Sequence, residues 1–197
     1  LRERRREERV DPGLEAFVGA GAPPVYVGFG SSVGPDPVRL TAIVDQALRE
    51  AVEEVCISLA QSIVRDGEGA SKFVTVRVNG GRSQAECLDV AFTIAHSPLV
   101  KTALFASDPN WGRLLAAIGR AGLPELQVER VGLYLNDVLI AEGGCRAASY
   151  TEAQGVAAMA PADIVIRVEL GRGEATAAVW TTDFSYDYVR INAEYRS

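Results

Sequence analysis

A glutamate within a glycine loop is the first candidate for binding chemistry in this chain. Glu68 lies in the sequence DGEG (residues 66–69), between a helical pattern and a strand pattern. A carboxylate at the tip of such a loop could accept charge-assisted hydrogen bonds from a substrate ammonium group, and Lys72 could balance its charge. The same glycines could simply end a helix, since glycine adopts the left-handed conformation at low cost. The sequence leaves both interpretations open.

A second polar cluster is the segment SDPNWGR (residues 107–113). The pair Asp108 and Pro109 predicts the start of a helix, with the aspartate as N-cap and the proline at the first helical position. A purely structural role is the preferred interpretation. In the functional alternative, Asn110 and Arg113 would line a site for a carboxylate.

The C-terminal residues, SYDYVRINAEYRS, are rich in aromatic and polar side chains. Chain ends usually fray, whereas aromatic residues favour burial. The simpler interpretation is a terminal helix that docks on the core. The sharper one places Asn192 and the last residue, Ser197, in a binding site.

A second glycine-rich loop (residues 28–34) stands between a predicted strand and a helix that begins near Pro37. Its backbone could approach a phosphate at a helix N-terminus. It also fits the G-x-S-x-G form of a nucleophile elbow through Ser32, which requires a histidine partner. The single histidine of the sequence, His96, falls at a predicted helix end. A strand-turn-helix adapter is therefore the preferred interpretation.

Composition indicates a globular protein with a core, because 48% of the residues are hydrophobic and 23% are charged. The net charge of −6 argues against nucleic acid or an anionic membrane as a partner, and no apolar run approaches the length of a membrane helix. Cys56, Cys87 and Cys145 are predicted to be buried, reduced thiols of a cytoplasmic protein. One histidine and scattered cysteines give no metal-ligand spacing, so neither a metal nor a cofactor is expected.

Hydrophobic periodicity predicts alternating strands and helices. The predicted strands are residues 23–29, 72–79, 100–105, 130–135, 138–141, 163–170 and 176–182, and the predicted helices are residues 36–65, 83–96, 108–121 and 150–159. The first helix could instead be two helices that meet near Glu50. The last two strands are predicted to form a hairpin, with Gly171 and Gly173 in its turn. Asn136 and Asp137 are predicted to form the turn of another hairpin, between residues 130–135 and 138–141. Ser83 is predicted to cap the helix of residues 83–96, and Pro98 to close it. The pattern indicates an α+β or mixed α/β sandwich of mixed sheets and helices, with an N-terminal strand-loop-helix unit.

Three sequence blocks resemble the C-terminal part of the β chain of the ornithine acetyltransferase family, the bifunctional glutamate N-acetyltransferases. The blocks are IVRDGEGASKFVTV, SPLVKTALFASDPNWGRLLAAIG and VELGRGEATAAVWTTDFSYDYVRINAEYRS, in the family's order across about residues 51–197. The resemblance implies acetyl transfer between N-acetylglutamate and ornithine, or from acetyl-CoA to glutamate, in cytoplasmic arginine biosynthesis. It implies Glu68, Asn192 and Ser197 as substrate-binding residues, and an α chain and a second αβ pair as partners.

The nucleophile of that family is not found in these residues. In the family, a precursor cleaves itself before a threonine, and the new terminal threonine attacks the acetyl donor with its own amine as base. The family's Thr-Met-Leu context and its Asp-Thr-Ser-Thr-Asn-Asp-Thr stretch are both absent. No catalytic residue is therefore assigned, and the isolated chain is expected to be inactive.

The N-terminal part resembles a different family. Residues 11–51 are similar to the first strand, loop and helix of the donor-nucleotide domain in bacterial glycosyltransferases, without the later diphosphate motif. Two domains are therefore predicted: residues 1–50, a charged tail with a strand-loop-helix segment, and residues 51–197, the acetyltransferase-like portion. Two alternatives stay open, namely a non-catalytic chimeric domain and a fragment that binds a nucleotide sugar.

Overall fold

The structure is a computed structural model that describes residues 37–195. Its elements are α1 (Pro37–Arg65), β1 (Phe73–Gly81), α2 (Gln84–Ala95), α3 (Pro98–Phe105), α4 (Trp111–Gly119), a 3₁₀ turn (Val128–Arg130), β2 (Gly132–Leu135), β3 (Val138–Glu142), β4 (Cys145–Arg146), α5 (Glu152–Met159), β5 (Asp163–Glu169), β6 (Ala175–Thr182) and α6 (Tyr186–Glu194). The predicted strand 23–29 and the loop 28–34 lie outside the described residues.

The chain divides into two compact units, Leu1–Val52 and Glu53–Ser197. The described part of the first unit is residues 37–52, which belong to α1. Helix α1 is a single helix of 29 residues, so the alternative of two helices is wrong. In the part of α1 that belongs to the second unit, apolar side chains recur every fourth residue and remain exposed. Val55, Leu59 and Ile63 are 58%, 59% and 74% exposed.

A six-stranded sheet forms the centre of the second unit, in the order β4-β3-β2-β5-β1-β6. Strands β1 and β5 are parallel, and the other neighbours are antiparallel. Strand side chains alternate between the two faces, and the buried face of the central pair carries Val74, Val76, Val78, Ile164, Ile166 and Val168. Helix α2 packs on β1 and β6, and α5 packs on β2 and β3. The predicted mixed α/β class is confirmed.

Residues 100–105 form part of helix α3, so the predicted strand there is wrong. Ser97 is the N-cap, and its Oγ accepts a hydrogen bond from the Val100 N–H at 3.4 Å. Pro98 stands at the first helical position, where its missing N–H costs nothing. The proline that was expected to close the preceding helix therefore opens the next one.

The last two long strands do not form a hairpin, because β1 lies between them. Thr75 of β1 has Val165 of β5 as its partner on one side and Trp180 of β6 on the other. The predicted hairpin of β2 and β3 is confirmed. In the turn between β2 and β3, Asn136 adopts a φ of 49°, a conformation that asparagine tolerates better than most residues.

The three cysteines occupy different environments. Cys87 is buried on α2, and burial raises the pKa of its thiol. Cys56 and Cys145 are exposed, so the prediction of three buried thiols is wrong for these two. All three are free thiols.

Candidate functional site

The glycine loop around Glu68 is pressed against the start of helix α6. Gly69 has a φ of +66°, and a Cβ on it would lie 2.7 Å from the Tyr188 backbone nitrogen and 2.9 Å from Ser185 Oγ. That oxygen caps α6 by accepting a hydrogen bond from the Tyr188 N–H at 3.0 Å. A glycine is therefore required at position 69 both for its conformation and for this close approach.

The approach brings together two residues that are far apart in sequence. The Asn192 side-chain amide donates from Nδ2 to Glu68 Oε2 at 3.2 Å, and also to the Tyr188 carbonyl oxygen at 2.9 Å. Both Glu68 and Asn192 are exposed. Within the described chain, Glu68 Oε1 has no partner. A carboxylate oxygen and an amide oxygen at an open surface are suitable acceptors for an ammonium group.

Two other sequence expectations for this site have different outcomes. Ser197 lies outside the described residues. Lys72 does not balance the charge of Glu68, because its Nζ donates to the carbonyl oxygens of Met159 at 2.8 Å and Pro161 at 3.2 Å. Lys72 thereby ties the start of β1 to the end of α5. The binding roles of Glu68, Asn192 and Ser197 stay predictions.

A buried aspartate that no sequence motif marks holds the end of the DGEG loop in place. Asp183 is 2% exposed and follows β6 directly. Its carboxylate accepts hydrogen bonds from the Ser71 N–H at 2.9 Å, the Ser71 hydroxyl at 2.5 Å and the Lys72 N–H at 3.0 Å. These bonds join the DGEG loop and the start of β1 to the segment that leads into α6.

A buried lysine beside this network was also missed. Lys101 is 8% exposed. Its Nζ donates to Thr181 Oγ1 at 2.9 Å and Thr182 Oγ1 at 3.4 Å, and lies 4.7 Å from the centre of the Phe184 ring. Burial lowers the pKa of Lys101, and the charge of Asp183 opposes that shift. Lys101 is buried because residues 98–105 form helix α3, whereas the sequence pattern predicted a strand at residues 100–105.

The SDPNWGR segment has structural partners instead of a place in the Glu68 site. Asn110, not Asp108, caps α4, because Asn110 Oδ1 accepts from the Arg113 N–H at 3.1 Å. Asp108 accepts from the Asn110 amide at 3.0 Å. The Arg113 guanidinium donates to the Leu99 carbonyl oxygen at 2.8 Å, which holds α4 against α3.

Residues that could hold a metal do not cluster in the described part of the chain. His96 is the C-cap of α2 and stacks on Phe92, with ring centroids 5.5 Å apart. The expected position of this histidine at a helix end is confirmed. No helix among the described residues is long and apolar enough to cross a membrane.

Comparison with known proteins places this geometry in a family. The profile described as "ArgJ family" matches residues 38–197. Two similar proteins are both named arginine biosynthesis bifunctional protein ArgJ. The one from Pseudomonas syringae pv. tomato is 57% identical over 173 residues, and the one from Pseudomonas fluorescens is 58% identical over 173 residues. Each comparison covers 88% of this chain but 43% of the relative, so the chain spans less than half the length of these relatives.

A solved structure agrees with the sequence comparison. The arginine biosynthesis bifunctional protein ArgJ from Bacillus halodurans superposes with a TM-score of 0.72 at 34% identity, covering 82% of this chain and 72% of that one. The profile match runs through position 51 without a break. The glycosyltransferase resemblance of residues 11–51 has no support, and the domain boundary predicted there stays a prediction. The three sequence blocks, the fold and the relatives agree: this chain belongs to the ArgJ family.

Proposed function

We propose that this chain takes part in acetyl transfer in arginine biosynthesis, between N-acetylglutamate and ornithine or from acetyl-CoA to glutamate. The observation that carries the proposal is the pairing of Glu68 with Asn192, which leaves one carboxylate oxygen without a partner in the described chain. The names of the two Pseudomonas relatives support arginine biosynthesis as the pathway. The alternatives of a chimeric non-catalytic domain and a nucleotide-sugar fragment have no such support.

In this proposal, Glu68 accepts hydrogen bonds from an ammonium group of ornithine. Asn192 orients the carboxylate through its Nδ2 and offers its own oxygen to the substrate, and the Ser197 hydroxyl completes the site. Gly69 and the buried Asp183 act through position, because they hold the loop against α6. The substrate site would thus be built at the start of β1 and the end of β6.

The proposal also requires a second polypeptide segment that brings the nucleophile. The threonine context of the family is absent from these residues, so the isolated chain is proposed to be inactive, with an α chain and a second αβ pair as partners in the cytoplasm. The exposed apolar side chains Val55, Leu59 and Ile63 support a partner surface, since exposed apolar patches often mark protein interfaces.

The test is ornithine binding to the purified chain, measured by isothermal titration calorimetry. We expect Glu68→Gln to weaken binding by about tenfold or more, because a charge-assisted hydrogen bond is replaced by a neutral one. Asp66→Asn is the matched control, since it removes a charge from the same loop and should leave binding unchanged. If both variants weakened ornithine binding equally, the DGEG loop would serve only to end helix α1.

Activity provides the second readout. The chain alone should not release glutamate from N-acetylglutamate when ornithine is added. Co-expression with the N-terminal part of the Pseudomonas fluorescens relative should restore the release, and Glu68→Gln should then raise the ornithine KM. Ornithine-dependent release by the chain alone would overturn the proposed need for a partner.

A further inference from the structure

A polar cavity lies at the other end of the strands that lead away from Glu68. Its volume is about 390 Å³, and it is lined by Arg82, Glu125, Gln127, Arg130, Leu170 and Arg172. Strand β1 runs for nine residues between the two regions, which corresponds to roughly 30 Å at about 3.3 Å per residue. The cavity therefore does not belong to the proposed ornithine site.

Glycines shape this end of the sheet. Gly80 and Gly171 have φ angles of +73° and +63°, which allow the chain to bend at the irregular end of β1 and to turn after β5. A Cβ on Gly173 would overlap the carbonyl oxygen of Gly81. The carboxyl ends of two parallel strands thus meet at glycine turns, an arrangement that binds ligands in many α/β proteins.

Arg172 is the unusual residue of the cavity. Its side chain is 7% exposed, and Nη2 contacts Glu86 Oε1 at 3.2 Å and the Pro124 carbonyl oxygen at 2.9 Å. Its other two nitrogens, Nε and Nη1, are buried without a hydrogen-bond partner. A buried cationic donor without an acceptor is unfavourable, so the fold leaves hydrogen-bonding capacity at this position.

The neighbouring arginines add positive charge. Arg82 contacts Glu125 at 3.1 Å in an exposed pair. Arg130 is exposed, and its guanidinium has no ion-pair partner in the described part of the chain. Together with Arg172, three arginines face two glutamates, Glu125 and Glu86, which leaves an excess of one positive charge. Guanidinium groups match the geometry of carboxylate and phosphate oxygens.

From the buried Arg172 and the free Arg130, we infer that this cavity is a second ligand site, which binds the oxyanion group of a small molecule. A phosphate or carboxylate group would supply acceptors to Arg172 and bind Arg130 from the solvent side. Both groups share the chemistry that the arginines recognise, and the probes below distinguish them. The inference is independent of the proposed acetyl transfer.

The test uses the whole chain and two probes, inorganic phosphate and citrate, with sodium chloride keeping the ionic strength constant. Backbone amide shifts in NMR spectra should move saturably at residues 80–82 and 170–173. Arg130→Gln should weaken binding by about tenfold or more, as expected for loss of a charged hydrogen-bond partner. Arg120→Gln is the control, because Arg120 is an exposed arginine outside this cavity.

Arg172→Lys provides the second variant, which keeps the charge but loses the planar fork. It should also weaken binding, while Arg130→Gln keeps the test valid if Arg172→Lys does not fold. Stronger binding of phosphate would assign a phosphorylated ligand, and stronger binding of citrate a carboxylate ligand. Absence of saturable shifts with both probes, or equal binding by Arg130→Gln and Arg120→Gln, would overturn the inference.

Discussion

The two ends of the parallel β1–β5 pair treat buried charge in opposite ways. At the start of β1, buried Asp183 accepts three hydrogen bonds, and buried Lys72 donates to two carbonyl oxygens. At the far end, buried Arg172 retains two nitrogens without partners. The first arrangement is complete within the chain and positions a loop, whereas the second has unused donors beside a cavity.

Asp183 and Lys72 thus position the loop of a proposed site, whereas Arg172 has donors that a ligand could use. A charge whose partners all come from the fold contributes to stability and order, and its removal should unfold or loosen the structure. Removal of a charged group that lacks hydrogen-bond partners should weaken ligand binding more than it lowers the free energy of unfolding. Substitutions at the start of β1 test whether its buried charges stabilise the fold.

Removing the Asp183 carboxylate should have the largest effect. Asp183→Ala would leave the N–H groups of Ser71 and Lys72 without their acceptor and would remove the negative charge near Lys101. We expect the free energy of unfolding to fall by at least about 3 kcal/mol, measured by urea denaturation. Asp137→Asn is the control, because Asp137 is an exposed carboxylate in the β2–β3 turn.

Asp183→Asn tests which property of the aspartate matters. The amide keeps one acceptor oxygen but loses the charge. We therefore expect the free energy of unfolding to fall by more than in the control and by less than in Asp183→Ala. If Asp183→Ala cost no more than Asp137→Asn, the start of β1 would not depend on buried charge, and the contrast between the two ends would fail.

A methyl group on Gly69 should have the second-largest effect. Gly69 and Gly122 both have positive φ angles, +66° and +75°, but a Cβ on Gly122 would have no atom within 4 Å. Gly122→Ala should therefore cost roughly 1 kcal/mol for the left-handed conformation, and Gly69→Ala about 2–4 kcal/mol because overlap with α6 is added. Thermal unfolding of both variants measures the difference. Equal losses would mean that α6 moves away easily, so the Glu68–Asn192 contact would not depend on this packing.

Local patterns in the sequence were sufficient for much of the fold. The alternation in β1, the Ser83 cap of α2 and the Asn136 turn each depend on a few neighbouring residues, and each is found in the structure. The β5–β6 hairpin was wrong because the decisive partner, β1, lies about 90 positions earlier in the sequence. The strand at residues 100–105 was wrong because a short apolar run fits either period.

The candidate site was less accessible to sequence reasoning. Glu68 and Asn192 were paired through the family resemblance, since no spacing rule connects residues 124 positions apart. Asp183 and Lys101 carry no motif, and their importance comes from burial after folding. Arg172 was hidden for the same reason, because Gly-Arg-Gly was interpreted only as a turn. Side chains that gain their role from tertiary burial give no local signal.

The smallest expected effect is the pH dependence that Lys101, near Asp183, adds to the free energy of unfolding. Burial lowers its pKa in the folded state, whereas an unfolded lysine has a pKa of about 10.4. Between these two values the unfolded chain binds more protons, so the free energy of unfolding contributed by Lys101 rises with pH. Lys101→Met removes the titrating group, and the tyrosines that titrate in the same range are common to both proteins. The difference in free energy of unfolding, wild type minus Lys101→Met, should therefore increase as the pH is raised toward about 10.4, as measured by urea denaturation at several pH values. A difference that stays constant or decreases with pH would mean that Asp183 and the two threonine hydroxyls compensate the burial of this ammonium group fully.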